Sequence, residues 1–265
     1  MNISGKTVVL TGASGGIGSA VAVELASQGC QLILIGRNRE KLQQLIEKLD
    51  GNNHCLLAVD LTSTDGRDEL VSHASKQSVD ILINCLGVNQ LALLEHNSDS
   101  DINNILNTNL TVPILLCRDF VPLLQQRSES AIVNVGSILG SIGYAGSTVY
   151  CASKFGLRGF TESLRRELGN SQVRVIYFAP RATDTALNSD EMTAMNKELG
   201  NAVDTPEQVA QQLSKTLRSS RLQRFLGWPE ALFVRINSLL PGVVDKSLLK
   251  QLPVIRKFAG QRAPG

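Results

Sequence analysis

Short β-branched or aliphatic runs alternate with longer helical patterns along this chain, and no other feature limits its fold as much. The runs cover 7–11, 31–35, 54–59, 79–84, 131–136 and 173–178. Most are apolar nearly throughout, as strands covered on both faces are. Helical patterns fall between them, at about 16–28, 39–49, 65–77, 99–126 and 149–169. A regular β-α-β-α order predicts a parallel sheet with helices on both sides and right-handed crossovers. A chain of 265 residues suits one such α/β domain. Pro113 lies inside the fourth helical pattern. It lacks an N–H and clashes with the preceding turn, so a kink is expected there.

Composition narrows the class further. Apolar residues make up 43% and charged residues 19%, with a net charge of +2, which excludes an intrinsically disordered chain. The five cysteines, Cys30, Cys55, Cys85, Cys117 and Cys151, form no C-x-x-C pair and are odd in number. They read as small buried hydrophobes in a reducing, cytoplasmic compartment. His54, His73 and His96 lack metal-ligand spacing, so no metal site is expected. The N-terminus shows no basic stretch leading into a long apolar one, so no secretory signal is expected. No apolar run approaches the roughly 18 residues of a membrane span.

The first strand runs straight into Thr11-Gly12-Ala13-Ser14-Gly15-Gly16-Ile17-Gly18, and a helix follows. Glycines there permit a tight turn and let the backbone approach a pyrophosphate at the helix N-terminus. The flanking strand and helix supply the context a dinucleotide site requires. The spacing T-G-x-x-x-G-x-G resembles the opening motif of the short-chain dehydrogenase/reductase family. That resemblance implies a single doubly wound Rossmann-type domain with a mostly parallel sheet in the order 3-2-1-4-5-6-7. It also implies that Gly12, Ser14, Gly15, Gly16, Ile17 and Gly18 bind a nicotinamide cofactor.

The second strand ends Leu34-Ile35-Gly36-Arg37-Asn38-Arg39, without the carboxylate that would accept an NAD ribose hydroxyl. A guanidinium suits a 2′-phosphate, and glycine at 36 leaves room for it. NADP(H) is the expected cofactor, with Arg37 as first ligand. Arg39 and Lys41 read as the solvated face of the next helix. Asp60 resembles the family's adenine-contacting acid, with Leu61 beside it; a turn cap is the alternative for Asp60. Asn84-Cys85-Leu86-Gly87 resembles the family's N-x-A-G, so Asn84 and Gly87 are expected at the cofactor. Leu86 departs from the usual alanine there.

Tyr150 and Lys154 share one face of a helical pattern, one turn apart. A free tyrosine has a pKa of about 10, and a nearby ammonium is expected to lower it. Ser137 follows the fifth strand, at the sheet edge where open α/β sheets place ligands. Ser137, Tyr150 and Lys154 match the family's catalytic set, and Asn109 matches its asparagine in the long kinked helix. The resemblance implies that Tyr150 exchanges a proton with the substrate oxygen and Ser137 positions that oxygen. Lys154 would hold the nicotinamide ribose and tune Tyr150, and Asn109 would order a water leading from Lys154 to solvent. Tyr150 and Lys154 therefore count among the cofactor ligands too, with Pro180, Thr183 and Thr185 after the sixth strand. Arg181 stands where the family has glycine, facing either the cofactor or an anionic substrate, or else solvent. Residues 185–204, with Met192 and Met195 at helical spacing, resemble the family's substrate lid.

The resemblance covers about residues 5–225, the expected catalytic domain. The acid-Gly-Gly ending of the 3-oxoacyl carrier-protein reductases is missing. Residues 226–265 read instead as an amphipathic extension rather than an independent domain. Its first apolar stripe is Leu232, Ile236, Leu239 and Val243; its second is Val244, Leu248, Leu252, Ile255 and Phe258. Residues 215–265 carry ten Lys/Arg and two Asp/Glu, against sixteen and twenty-two in 1–214. Such an end either meets an anionic membrane surface, at the inner face, or packs on the catalytic domain or a partner subunit. No nucleic-acid reader motif accompanies the basic charge.

These features predict an NADP(H)-dependent reductase of hydrophobic, lipid-like or sterol-like carbonyls or alcohols. The alternative within enzymes is a 3-oxoacyl-thioester reductase. The alternative of another class is an NADPH-binding sensor or membrane scaffold without turnover. A homodimer or homotetramer is implied by the family resemblance.

Overall fold

The computed structural model describes residues 1–260. Residues 261–265 of the expected extension lie outside the described residues. The chain alternates β1 (Thr7–Thr11), α1 (Gly16–Ser27), β2 (Gln31–Gly36), α2 (Arg39–Ile46), β3 (Cys55–Ala58), α3 (Thr64–Ser75) and β4 (Val79–Asn84). It continues through α4 (Asp99–Leu106), α5 (Val112–Leu124), β5 (Ser130–Val135), α6 (Thr148–Glu167), β6 (Val173–Ala179), α7 (Asp190–Glu198), α8 (Pro206–Arg218) and β7 (Gln223–Phe225). Three short helices follow: α9 (Glu230–Leu239), α10 (Pro241–Leu249) and α11 (Leu252–Ala259). The strands form one seven-stranded parallel sheet in the order β3-β2-β1-β4-β5-β6-β7, a Rossmann-type α/β fold.

Successive strand residues feed opposite faces, which explains the continuous apolar runs. Val8, Leu10, Leu32, Leu34, Ile81 and Ile83 join the core that contains α1, α2 and α8 residues. Val9, Ile33, Ile35, Leu82, Ile132 and Val175 join the core on the other face, with α3 and α5 residues. At the end of the sheet away from the site, the buried Asp80 carboxylate accepts the Thr7 amide at 3.0 Å and pairs with Lys6 at 3.3 Å and Arg127 at 3.0 Å.

Two departures from the sequence reading matter. The 99–126 pattern divides into α4, a π-helical turn over Asn107–Thr111, and α5. Pro113 has no N–H for the carbonyl four residues back, that of Asn109, and the backbone widens there. The first C-terminal stripe also turns differently. Val234 and Val244 are buried, whereas Leu239 and Val243 are exposed. Pro241 starts a new helix, so helical spacing does not carry across 239–243.

Candidate active site

The C-terminal ends of β1, β4, β5 and β6 converge where strand order reverses, the usual ligand crevice of such sheets. The Thr11 hydroxyl donates to the Ile83 carbonyl at 3.3 Å and accepts the Cys85 amide at 3.1 Å, tying the glycine loop to the loop after β4. Gly12 has φ +65°, and a Cβ there would lie 2.8 Å from Leu86 backbone atoms. Only glycine fits that contact. The Leu86 side chain packs toward the core instead, which accommodates the departure from alanine.

The loop suits a dinucleotide phosphate. The N-terminus of α1 has no side-chain cap and no acid in its first turn, so its amides and positive pole suit an anion. A Cβ at Gly18 would strike the Gly12 carbonyl at 2.1 Å, so the loop closes only with glycine there. Thr185 lies against Gly16, and Ile17, Pro180, Thr183 and Thr185 border one cavity with Ser137 and Tyr150. That cavity measures about 450 Å³. Gly15 and Ser14 lie in the same turn, and Ser14 Oγ would be 3.1 Å from a Cβ at Gly36.

Arg37 is exposed just past β2, next to Asn38, whose side chain caps α2 by accepting the Lys41 amide at 2.8 Å. Asp60 takes the turn-cap geometry. Its Oδ1 accepts the Thr62 amide at 2.9 Å and the Thr62 hydroxyl at 2.8 Å, and these bonds lower its pKa, with a smaller contribution from Arg37. Leu61 buries its side chain in the core. The Asn84 amide turns into the protein, donating to Asn134 Oδ1 at 2.8 Å. Asn134 in turn donates to Thr161 Oγ1 at 3.0 Å, so this buried string locks β4, β5 and α6 together. Gly87 abuts the catalytic candidates: a Cβ there would stand 3.5 Å from Asn109 Oδ1 and 3.8 Å from Lys154 Nζ.

Ser137, Tyr150, Lys154 and Asn109 come together at this edge. Tyr150 hydrogen-bonds Ser137, and the Ser137 hydroxyl accepts the Leu139 amide at 3.1 Å. Lys154 Nζ donates to the Val135 carbonyl at 3.0 Å and lies 5.7 Å from the Tyr150 ring centroid. Asn109 is gripped on three sides: it accepts the Val88 amide at 2.8 Å, and donates to the Val88 carbonyl at 2.9 Å and to Ser153 Oγ at 3.1 Å. The expected lowering of the Tyr150 pKa is reversed in this environment. Burial pushes the phenol up to about 12, outweighing the Ser137 hydrogen bond. The same burial pulls Lys154 down to about 8. Desolvation penalises each charged form and is the largest influence on both groups.

Sequence reasoning missed Tyr177. Its ring fills the space beside Gly136 and Gly140, where an added Cβ would lie 2.2 Å and 2.3 Å from it. Its hydroxyl donates to the Ser137 carbonyl at 3.2 Å and so fixes the Ser137 turn. The two glycines flanking Ser137 were the available signal. Arg181 borders the cavity, and its guanidinium is engaged by two carboxylates. It pairs with Asp204 at 2.6 Å and Glu230 at 3.3 Å, joining the end of β6, the segment after α7, and α9. No non-glycine residue among those described has positive φ, so arginine fits that turn without strain.

The far wall of the cavity is apolar. Met192 and Met195 of α7 line it and pack in one cluster with Ile255 and Ala259 of α11. Phe233, Val244 and Leu248 complete it from α9 and α10.

The family model for "short chain dehydrogenase" matches residues 6–196. Carbonyl reductase family member 4 of Danio rerio is 34% identical over 219 residues, covering 81% of this chain and 92% of that protein. The 3-oxoacyl-[acyl-carrier-protein] reductase FabG of Vibrio cholerae is 30% identical over 246 residues, covering 90% and 96%. A short chain dehydrogenase from Burkholderia cenocepacia, solved in complex with NADP, superposes with a TM-score of 0.82 at 22% identity, covering 94% of this chain and 99% of that one.

Proposed function

This chain belongs to the short-chain dehydrogenase family, oxidoreductases of carbonyl and alcohol groups with a nicotinamide cofactor, and on that premise we propose that it reduces a hydrophobic, lipid-like or sterol-like carbonyl with NADPH. The observation that carries this reading is the Ser137–Tyr150–Lys154 cluster opening onto an apolar cavity walled by Met192, Met195, Phe233, Val244 and Leu248.

The cofactor, when bound, supplies or accepts the hydride. The residues of the chain do the rest. Gly12, Ser14, Gly15, Gly16, Ile17 and Gly18 would hold the pyrophosphate, with Thr183 and Thr185 beside it. Arg37 selects NADPH by binding the 2′-phosphate, with no acid at the end of β2 to favour NADH. Asp60 and Leu61 border the adenine, and Asn84, Gly87 and Pro180 shape the nicotinamide end. Lys154 and Tyr150 hold the nicotinamide ribose.

Tyr150 keeps its proton at neutral pH because burial disfavours the phenolate. It delivers that proton to the substrate oxygen as negative charge develops there, and Ser137 donates to the same oxygen and fixes its position. Asn109 lies beside Gly87 and Lys154 and would order a water linking Lys154 to solvent, the route by which Tyr150 regains the proton it gives up. We assign catalysis to residues 1–225, with the lid at 185–204, and wall-building to the extension. A 3-oxoacyl-thioester reductase is the second reading, supported by the similarity to enzymes of that name. A cytoplasmic homodimer or homotetramer belongs to the same proposal. Among the described residues no helix is long and apolar enough to cross a membrane.

Replacing Tyr150 by Phe tests the catalytic reading. The variant is expected still to bind NADPH, by fluorescence titration, within about tenfold of the wild type, since one ribose hydrogen bond is lost, and to lose at least about a hundredfold in kcat, the usual weight of a positioned acid. Retained turnover would remove Tyr150 from the reaction and favour a different proton donor.

A further inference from the structure

We propose that the outward side of α9 and α10 docks on an anionic lipid bilayer. The use of this contact, loading a lipid-like carbonyl into the cavity behind it, rests on the function proposed above. The contact itself does not.

Each of these two helices has three surfaces. Val234 and Val244 are buried beside Ile138 and Ile142. Phe233 and Leu248 face the substrate cavity. The remaining side, which would be polar throughout in a water-soluble helix pair, mixes large apolar residues with charges. Trp228, just before α9, is 75% exposed; Leu239, Leu240, Val243 and Leu249 are 79%, 60%, 57% and 63% exposed. Most of the strongly exposed large apolar side chains among the described residues fall between Trp228 and Leu249. A lone exposed leucine is ordinary, but several such residues on two helices packed together mark a binding surface.

The cations on the same helices choose the occupant. Helical spacing places Arg235 with Leu232, Ile236 and Leu239 on α9, and Lys246 and Lys250 with Val243 on α10. Asp245 is the one acid of α10, and Glu230 of α9 is paired with Arg181. Lysines are depleted from the centres of protein interfaces, and a second copy docked face to face would bring like charges together. Leucine and tryptophan mixed with Lys and Arg on short amphipathic helices suit the plane of a bilayer with anionic headgroups. The rest of the molecule agrees: residues 1–214 carry sixteen Lys/Arg and twenty-two Asp/Glu, so the acidic body is repelled as the basic end is drawn in.

Trp228 is the single tryptophan and reports the contact directly. The full-length protein is titrated with vesicles of phosphatidylcholine alone and of phosphatidylcholine with phosphatidylglycerol. The expected result is a blue shift of tryptophan emission and co-sedimentation with the anionic vesicles only. The triple variant Leu239→Ser, Leu240→Ser, Val243→Ser should lose both signals while still turning over a short soluble carbonyl, since these side chains are exposed. Lys246→Gln with Lys250→Gln should weaken vesicle binding about 30-fold, at about 1 kcal/mol per cation. Absence of a shift with anionic vesicles overturns the proposal. So does binding unchanged in the triple variant. A shift that instead follows protein concentration without vesicles, with a doubled mass by light scattering that the triple variant abolishes, assigns the face to a second copy. Vesicle binding without carbonyl turnover counts against the function proposed above and leaves the docking surface standing.

Discussion

Tyr150 and Lys154 show why the environment of a residue matters as much as its type. Their spacing brings them together, yet burial shifts both away from their charged forms. Lys154 gives a signed test. Its folded pKa of about 8 lies below the ordinary 10.5, so the unfolded chain holds more protons between those values and stability gains with rising pH across that window. The gain reaches about 3 kcal/mol at its upper limit. Denaturation of the wild type and of Lys154→Met at several pH values should show this contribution in the wild type alone; parallel profiles would contradict it. Arg37→Asp should raise KM for NADPH at least about tenfold, by removing a charge-assisted contact, with kcat little changed. Equal KM values would place the 2′-phosphate elsewhere. Tyr177→Phe keeps the ring between Gly136 and Gly140 but removes the bond to the Ser137 carbonyl. We expect kcat to fall while the melting temperature moves little. Motif residues such as Gly12, Ser137 and Tyr150 were legible because their chemistry is local in sequence. Tyr177 was not, since its role depends on the register of β6 against β5.

At the scale of elements, β1 and β4 could be read to the residue because turns close both ends of a wholly buried run. The short β7, half-buried at the sheet edge, carries little apolar signal, and α8 went unread although Thr205-Pro206-Glu207-Gln208 is a capping box with proline at the start of the helix. The first C-terminal stripe misled for a physical reason: it was counted across Pro241, and Leu239 and Val243 turn outward, whereas Val244 and Ile255 of the second stripe are buried. Arg181 is the element-level joint. It ties α9 to the segment after α7 through Glu230 and Asp204. Arg181→Ala leaves two carboxylates facing each other without their cation, a loss of about 1–3 kcal/mol. We expect a lower melting temperature and a raised KM for long substrates, with that for NADPH unchanged. An unchanged KM for long substrates would separate the C-terminal wall from substrate binding.

For the whole molecule, the C-terminal end of the sheet gathers the glycine loop, Tyr150 and the apolar wall, and part of that wall comes from helices beyond the last strand. The account therefore makes substrate length the property that this protein reads. The measurement that tests it most directly is the rate of NADPH consumption by the purified protein against aldehydes and ketones of increasing chain length, with Tyr150→Phe as control and NADH in parallel. The account predicts that kcat/KM rises with chain length, that NADPH outperforms NADH, and that the variant loses the activity. A flat or falling series, or activity that survives in the variant, would contradict it.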